Sequence, residues 1–330
     1  MKVLLLGSTG LLGQNVSREL VVRGHQVVVL VRHSVDWSFL PSGASLCAVR
    51  GSLLCYDDLR RAAEGCDAVI NCAGTTDMSL LRYADYLPVN ADLCADLVRL
   101  MDDCNIRSLV HVSTANTIGY GTADALANEQ SPMMPPFSQS FYARSKAEGE
   151  QTLIDAAQQR PDSHIVIVNP GFIIGAYDLK PSSGQLLLAS YRRPLMFVPQ
   201  GGKSFVAATA AAAAIVNALT MGQHGHRYLL TGENLSLRAF YFRQAKACGY
   251  RQRLIAIPRW LALAAGRMGD LLRLCGIKTQ LSSNNIRQLQ VSEYYDNALA
   301  QSDLQLPSTP IEQAITQFFD WYTKREAKKA

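Results

Sequence analysis

Several features that would set this chain apart from an ordinary globular protein are missing from its sequence. Its eight cysteines form no Cys-x-x-Cys pair, so neither a disulfide framework nor a cysteine-rich zinc site is expected, and they are interpreted as reduced thiols. The one histidine cluster, His224–Gly225–His226, offers too few ligands for a metal. We therefore predict a cytoplasmic protein without a metal centre.

Charge and long apolar runs are also scarce. Charged residues make up 18% of the chain, with a formal net charge of +5, and no basic stripe interleaved with aromatics indicates nucleic-acid binding. The apolar run after Lys2 is too short for a secretory signal, and 205–219 falls short of the roughly 20 residues of a membrane span. Segment 254–277 is interrupted by charges, which favours an amphipathic helix packed on a domain, with peripheral membrane contact as the minor alternative.

The first half of the chain alternates apolar strands with helical periodicity. Strand patterns occupy 2–7, 26–31, 45–50, 67–74, 108–114 and 164–171, and helical patterns occupy 11–23, 57–64, 85–104 and 142–159. Strands that are apolar throughout and alternate with helices indicate a parallel sheet covered on both faces. The sequence predicts an α/β fold: a Rossmann-type, doubly wound parallel sheet followed by a smaller, mostly helical C-terminal substrate domain.

A glycine-rich loop follows the first strand at once. The sequence GSTGLLG (7–13) lies between that strand and a helix. Glycines there permit a tight turn and close approach of a pyrophosphate, and the helix N-terminus favours the anion. A dinucleotide is the expected ligand, bound by Gly7, Ser8, Thr9, Gly10, Leu11, Leu12 and Gly13.

The end of the second strand distinguishes between the two nicotinamide cofactors. An NAD site usually has a carboxylate there for the ribose hydroxyls, whereas this chain has Arg32, and Asp36 lies several residues further on. A guanidinium can pair with a 2′-phosphate through charge-assisted hydrogen bonds. NADP(H) is therefore favoured over NAD(H).

Four motifs then occur in register along the chain. They are the glycine-rich loop, NCAG (71–74), VSTANTIG (112–119), and Tyr142 with Lys146 in FYARSKAEGE (141–150). Together they resemble the extended short-chain dehydrogenase/reductases of the NAD-dependent epimerase/dehydratase superfamily, and most of all the dihydroflavonol-4-reductase and 3β-hydroxysteroid dehydrogenase branch. The resemblance spans nearly the whole chain and implies an NAD(P)-dependent oxidoreductase.

This resemblance implies a catalytic role for Thr114, Tyr142 and Lys146, with Ser113 as the neighbour that could be confused with Thr114. Positions i and i+4 of a helix share a face, so the Lys146 ammonium is expected beside the Tyr142 phenol and the nicotinamide ribose. A nearby cation would favour the phenolate and lower its pKa. Tyr142 would act as general acid in carbonyl reduction, and Thr114 would hold the substrate oxygen.

Other site residues follow from the resemblance. Further contacts to the cofactor are expected from Leu53, Ala73, Gly74, Pro170, Gly171 and Ile173, beside Tyr142 and Lys146. An apolar pocket for a hydrophobic carbonyl compound is expected to be lined by Met78, Phe141, Tyr177 and Phe197. The dinucleotide-binding domain is assigned to 1–172 plus about 203–232, and the substrate domain to about 173–202 and 233–330. Asn90 resembles a structural helix asparagine of the family.

Departures from the family pattern narrow the function. Ala115–Asn116 stand where 4,6-dehydratases have Asp-Glu, and segment 201–214 lacks the arginine with which sugar-nucleotide epimerases meet a diphosphate, although Lys203 could substitute. The expected function is NADP(H)-dependent reduction of a ketone or aldehyde to an alcohol. An NAD-dependent nucleotide-sugar epimerase and a cofactor-sensing regulator are the alternatives, and the resemblance also implies a possible homodimer through 85–104 and 142–159.

Overall fold

The computed structural model describes residues 1–32, 40–41, 45–179 and 182–327. Asp36 lies outside the described residues. The strands are β1 (Lys2–Leu6), β2 (Gln26–Val31), β3 (Leu46–Arg50), β4 (Ala68–Asn71), β5 (Ser108–Val112), β6 (His164–Pro170), β7 (Phe172–Ile174), β8 (Leu195–Val198), β9 (Gly202–Ala207), β10 (Arg227–Leu230), β11 (Glu233–Ser236), β12 (Arg253–Ala256) and β13 (Ser292–Glu293).

The helices follow the predicted alternation closely in the first half of the chain. They are α1 (Leu11–Val22), α2 (Tyr56–Ala63), α3 (Leu93–Asp103), α4 (Phe141–Gln159), α5 (Gly184–Ser190), α6 (Ala208–Asn217), α7 (Leu237–Ala247), α8 (Arg259–Leu274), α9 (Ser283–Gln288), α10 (Ala298–Leu304) and α11 (Ile311–Ala327). The helix predicted over 85–104 differs, because a π-helical turn over Pro88–Asp92 precedes α3. The Asn90 side chain inside this turn is bonded to the backbone of Thr75.

A seven-stranded parallel sheet confirms the predicted fold class. Its strand order is β10-β6-β5-β4-β1-β2-β3, with every pairing parallel. The sheet reverses direction of winding between β1 and β4, so the glycine-rich loop after β1 opens at the crevice where such sheets bind dinucleotides. Strands β1, β4 and β5 are buried on both faces, as their continuous apolar sequences predict.

The C-terminal part contains more β-structure than its sequence indicated. Strands β11, β9 and β13 form a second sheet in which β7 also pairs with β9, and β8 pairs with β12. Within 203–232, which the sequence assigned to the dinucleotide-binding domain, β9 belongs to this second sheet, α6 packs on α1, and β10 joins the main sheet. The division into two domains stays a prediction.

Candidate functional site

The glycine-rich loop has the geometry of an anion cradle. Gly7 has a φ of +74°, which favours glycine, and a Cβ added at Gly13 would lie 2.2 Å from the Gly7 carbonyl oxygen. Gly10 caps α1 without a side-chain hydrogen bond, so the first N–H groups of the helix are open to an anion. The buried Ser8 hydroxyl has no protein partner within the described residues. These features fit the pyrophosphate of a dinucleotide.

The turn after β4 lies between this loop and α4. A Cβ added at Gly7 would lie 2.6 Å from the Ala73 nitrogen, and one at Gly74 would lie 3.6 Å from Lys146 Nζ. The Ala73 N–H donates to Asn71 Oδ1 at 3.0 Å, which fixes the turn. The structure thus brings Gly7, Ala73, Gly74 and Lys146 together, as the resemblance implied.

Helix α4 presents Tyr142, Lys146 and Glu150 on one face. It begins after Ser140, whose hydroxyl accepts from the Ala143 N–H, so Tyr142 lies in the first turn. The Tyr142 phenol lies next to the Thr114 hydroxyl. Burial raises the pKa of Tyr142 above its ordinary 10.0, the neighbouring Thr114 hydroxyl lowers it, and the Glu150 charge raises it. Lys146 is not among the groups that shift this pKa, and desolvation of the phenolate dominates.

Lys146 is held in place inside the protein. Its side chain is 2% exposed, and Nζ donates to the Val112 carbonyl oxygen at 2.8 Å. Burial lowers the pKa of Lys146, while the neighbouring Cys94, Glu150 and Cys72 raise it. An ammonium has three donors, so the bond to Val112 leaves donors for a second partner such as a ribose hydroxyl.

Thr114, rather than Ser113, is adjacent to the phenol. The Thr114 hydroxyl influences the pKa of the neighbouring Tyr142 and accepts from the Asn116 N–H at 3.3 Å. The Ser113 hydroxyl is buried and has no hydrogen-bond partner among the described residues. The two hydroxyls follow β5 on opposite faces, as the period of two of extended backbone requires.

A buried network that sequence reasoning missed supports this arrangement. Glu150 Oε1 accepts from Thr117 Oγ1 and from Asn169 Nδ2, both at 2.6 Å. Asn169 also donates to the Thr114 carbonyl oxygen at 3.1 Å. Thus β6 and α4 together hold the segment that carries Thr114. One feature of the sequence could have indicated this network: Glu150 follows Tyr142 by eight positions, which places both residues on the same helical face.

Asn90 fastens the π-helical turn to the same region. Its side chain donates to the Thr75 carbonyl oxygen at 3.0 Å and to Ser145 Oγ at 3.0 Å. The Thr75 N–H donates back to Asn90 Oδ1 at 2.8 Å. A Cβ at Gly149 would lie 2.3 Å from the Asn90 carbonyl oxygen, so α4 and this turn are in direct backbone contact.

Arginines converge at the ends of β2 and β3. Arg32 is exposed directly after β2, and Arg50 Nη1 donates to the Arg32 carbonyl oxygen at 3.0 Å. Arg61 in turn donates to the Arg50 carbonyl oxygen at 2.8 Å. Only Arg32 was recognised from the sequence; parallel pairing of β2 with β3 adds Arg50, and helix α2 adds Arg61.

A carboxylate from α2 reaches the turn after β3. The Ser52 N–H donates to Asp58 Oδ2 at 2.9 Å, and a Cβ at Gly51 would lie 2.7 Å from Asp58 Cγ. Asp58 also pairs with Arg61. Leu53, the expected contact for the adenine, is half-buried beside the core on this side of the sheet.

The segment after β6 brings the main and second sheets together. The Gly171 N–H donates to the Leu230 carbonyl oxygen at 3.0 Å, and a Cβ at Gly171 would lie 2.5 Å from the Ser204 carbonyl oxygen. Pro170 ends β6, and Ile173 pairs with Val206. These positions remain expected cofactor contacts.

The four residues predicted to line a substrate pocket occupy different surroundings. Met78 lies in the loop after β4, and Phe141 begins α4 with its ring 5.7 Å from that of Tyr83. The Tyr177 ring is instead covered by the Arg18 guanidinium, 3.5 Å from its centroid. Phe197 lies on β8 and is 59% exposed, so it does not close a pocket in this structure.

Two further side chains near these segments are buried. Burial raises the pKa of Cys72 to about 12, so its thiol is not activated by its surroundings. Lys203 is buried in an ion pair with Glu293, which joins β9 to β13. Among the described residues no group of three His, Cys, Asp or Glu side chains could hold a metal ion.

Comparisons with known proteins agree with this geometry. The model of the NAD dependent epimerase/dehydratase family matches residues 3–230. A putative dihydroflavonol 4-reductase of Synechocystis is 27% identical, with 96% of this chain and 93% of the relative covered. Sterol demethylase protein B of Methylococcus capsulatus is 28% identical, with 98% of this chain and 99% of the relative covered. The UDP-glucose 4-epimerase of Thermotoga maritima has the same fold, with a TM-score of 0.78 at 16% identity over 98% and 99% of the two chains.

Proposed function

Since the chain belongs to the NAD-dependent epimerase/dehydratase family, we propose that it is an NADP(H)-dependent reductase that converts a ketone or aldehyde to an alcohol. One observation carries the proposal. The Thr114 hydroxyl lies next to the Tyr142 phenol and contributes to its pKa, and Lys146 lies one turn further along the same helical face. This arrangement offers two hydroxyl donors to one carbonyl oxygen.

The residues divide the chemistry as follows. When bound, the cofactor would supply the hydride that adds to the carbonyl carbon. Tyr142 donates its phenolic proton to the oxygen as the C–O double bond becomes single, and Thr114 donates a hydrogen bond to that oxygen. Lys146 keeps its ammonium beside the Tyr142 phenolate that remains after proton transfer. The same ammonium would also contact the nicotinamide ribose of the cofactor. A raised pKa of Tyr142 suits this direction, because the acid form is then fully populated at neutral pH.

The preference for NADP(H) rests on the arginine cluster. Arg32 and Arg50 stand together at the ends of β2 and β3, where a dinucleotide on the Gly7–Gly13 loop would have its adenosine ribose. Their guanidinium groups suit the planar, bidentate contacts of a phosphate. The nearby Asp58 carboxylate is engaged by the Ser52 N–H and by Arg61, so it is not directed at a ribose hydroxyl.

Nucleotide-sugar epimerisation is the second candidate, supported by the epimerase fold shared with the Thermotoga maritima protein. Against it stands Lys203, which the sequence analysis considered as a substitute for the missing arginine. Its ammonium is buried and paired with Glu293, so it is not available to a diphosphate. Burial lowers the pKa of Lys203 to about 7, which further weakens it as a fixed positive charge.

The apolar side chains of Met78 and Phe141, in the loop after β4 and at the start of α4, favour a hydrophobic carbonyl substrate. Two of the relatives point the same way by name, a dihydroflavonol reductase and a sterol demethylase component. We therefore propose an aromatic or polycyclic ketone rather than a sugar nucleotide as the substrate class.

Calorimetric titration of cofactor-free protein with NADPH and NADH tests the cofactor, and a screen of such ketones with NADPH tests the reaction. Tighter binding of NADPH by at least about tenfold is expected, and Arg32→Ala should abolish most of that difference, since one charge-assisted hydrogen bond contributes about 1.5–3 kcal/mol. Arg107→Ala is the matched control. Arg107 directly precedes β5, so it lies at the amino ends of the parallel strands, whereas the cofactor is expected at their carboxyl ends. Preference for NADH together with turnover of UDP-glucose would overturn the reductase proposal in favour of the epimerase.

A further inference from the structure

Helix α8 packs on the protein through its smallest side chains. Ala262, Gly266 and Gly269 form its buried face, with spacings of four and three that keep them on one side. A Cβ at Gly269 would lie 2.0 Å from the Leu281 carbonyl oxygen, and one at Gly266 would lie 2.9 Å from Ser283 Cα. The helix backbone is therefore pressed against the segment that leads into α9.

The large apolar side chains of α8 point away from the protein. Trp260 is 71% exposed, Met268 58% and Leu271 57%. At 100° per residue these side chains fall within one arc of the helix, opposite the buried glycines. Leu261 and Leu272 lie on the same exposed arc, and Leu274 and Ile277 continue the exposed apolar surface past the helix end. A helix that packs on a domain normally does the reverse. Helix α8 thus packs on the protein, as expected for 254–277, but with its large apolar side chains outward.

The segment that carries this surface is strongly basic. Residues 251–278 contain six arginines and lysines against one acid, a formal charge of +5. Arg251, Arg253, Arg259, Arg267 and Lys278 are exposed. The one acid, Asp270, accepts a hydrogen bond from the Ser283 N–H at 2.9 Å. The rest of the chain is therefore nearly neutral, and the positive charge is concentrated beside the exposed apolar arc.

We infer that α8 is an interfacial helix that docks this protein on an anionic lipid surface. An apolar arc flanked by arginine and lysine matches a bilayer boundary, where acyl chains take the apolar side chains and anionic headgroups take the cations. A second copy of the chain fits the surface less well, because an isologous contact would bring two segments of charge +5 together. No helix in the described ranges has the length and apolar character to cross a bilayer, and docking in the interface requires none.

The docked helix is attached to the candidate active site. Arg273, on the packed side of α8, donates to the Met78 carbonyl oxygen at 3.1 Å and to the Leu80 carbonyl oxygen at 2.7 Å. These residues belong to the loop that follows Gly74, which adjoins Lys146. If the proposed reductase function holds, docking keeps the loop that carries Met78 near the membrane, where a hydrophobic ketone is dissolved. The docking itself does not depend on the reaction.

The test is flotation of the full-length protein with vesicles of phosphatidylcholine mixed with phosphatidylglycerol, compared with vesicles of phosphatidylcholine alone. Binding to the mixed vesicles is expected, with a blue shift of tryptophan emission that Trp260→Phe removes. Leu271→Glu should weaken binding at least tenfold, since it removes an exposed leucine that the bilayer would bury and adds a charge that the anionic headgroups repel. Val22→Glu is the matched control: Val22 is 81% exposed at the end of α1, and its substitution should leave binding unchanged.

Charge is tested separately with Arg267→Gln, which should weaken binding about fivefold per charge removed and reduce its sensitivity to salt. Circular dichroism and NADPH titration establish that each variant is folded. Failure to bind the mixed vesicles, or equal binding by the wild type and Leu271→Glu, would overturn the inference. So would a concentration-dependent dimer in ultracentrifugation that Leu271→Glu dissociates, because the apolar arc would then belong to a second copy.

Discussion

Asn169 donates a 2.6 Å hydrogen bond to Glu150 from the C-terminal end of β6 to the buried face of α4. The same amide donates to the Thr114 carbonyl oxygen. Strand β6 and helix α4, which carries Tyr142, are thereby joined at the carboxylate of Glu150. The distance between the Thr114 hydroxyl and the Tyr142 phenol depends on this junction, although neither Asn169 nor Glu150 has a place in the proton transfer.

Glu150→Leu should therefore reduce stability and activity together. Thr117 and Asn169 would keep the Thr114 carbonyl oxygen as an acceptor, but they would lose the shared carboxylate. The Arg227 guanidinium, 3.6 Å from Glu150, would lose its charged partner, and such a loss costs about 1–3 kcal/mol or more. We expect a fall of about 3 kcal/mol in the free energy of unfolding, measured by urea denaturation. Activity measured well below the transition should fall as well, because the Thr114 segment is released.

Glu150→Gln separates positioning from mere stability, since its amide oxygen can still accept from Thr117 and Asn169. It should recover most of the stability and most of kcat. Asp155→Asn, on the exposed face of the same helix, should change the unfolding free energy by less than about 0.5 kcal/mol. Equal behaviour of Glu150→Leu and Asp155→Asn would show that the junction is unimportant.

Tyr142→Phe should lower kcat for ketone reduction by about 10²–10⁴-fold, the range of general acid catalysis. The ring still packs, so the Kd of NADPH measured by calorimetry should stay within about threefold of the wild-type value, that is, within about 0.7 kcal/mol. A cofactor-sensing regulator would show no turnover to lose.

The hydroxyl beside the phenol is tested by a matched pair of neighbours. Thr114→Val should lower kcat by about 10²–10³-fold, as expected for loss of a donor to the developing oxyanion. Ser113→Ala, which removes a buried hydroxyl without a described partner, should leave kcat near that of the wild type. A larger loss for Ser113→Ala would assign the role to Ser113.

Gly10→Ala and Gly13→Ala should fail in different ways. A Cβ at Gly10 would lie 3.5 Å from the Gly7 carbonyl oxygen, an ordinary contact, and the φ of −81° suits alanine. This variant should keep its melting temperature and lose NADPH affinity, because the methyl group occupies the approach of the pyrophosphate. A Cβ at Gly13 would lie 2.2 Å from the same oxygen, so Gly13→Ala should lower the melting temperature as well. Unchanged affinity in Gly10→Ala would place the cofactor elsewhere.

The sequence predicted those parts of the molecule that depend on local pattern. The apolar runs of β1, β4 and β5 and the glycines at 7, 10 and 13 determine strand, turn and helix within a dozen residues. The spacing of Tyr142 and Lys146 likewise needs only the period of one helix. These features were recognised because neighbours in the chain are sufficient to define them.

The parts that were missed depend on residues far apart in sequence. Arg50 joins Arg32 only because β3 pairs with β2 in register, and Glu150 is buried only because Asn169 and Thr117 lie opposite it. The amphipathic pattern of α8 indicates that the helix has two different faces, but it does not indicate which of them packs on the protein. Glycine contacts with Leu281 and Ser283 decide that, and no periodicity argument contains them.

The pH dependence of ketone reduction distinguishes the two accounts of Tyr142. The family resemblance led us to expect a pKa lowered by Lys146, whereas burial in the structure raises the pKa of Tyr142 above 10.0. Reduction uses the protonated phenol, so its rate is fully present below the pKa and falls tenfold per unit of pH above it. If burial dominates, kcat at saturating NADPH should stay flat through neutral pH and decline only above about pH 10.

Lys146→Met provides the internal control for this profile. The substitution removes the ammonium, so any lowering of the Tyr142 pKa that Lys146 exerts in the working enzyme should appear as a further upward shift of the midpoint. A wild-type decline that begins near pH 7 or 8, and that moves upward in Lys146→Met, would show that the lysine overcomes the desolvation of the phenol. A wild-type midpoint above pH 10 that Lys146→Met leaves in place would confine Lys146 to holding the ribose.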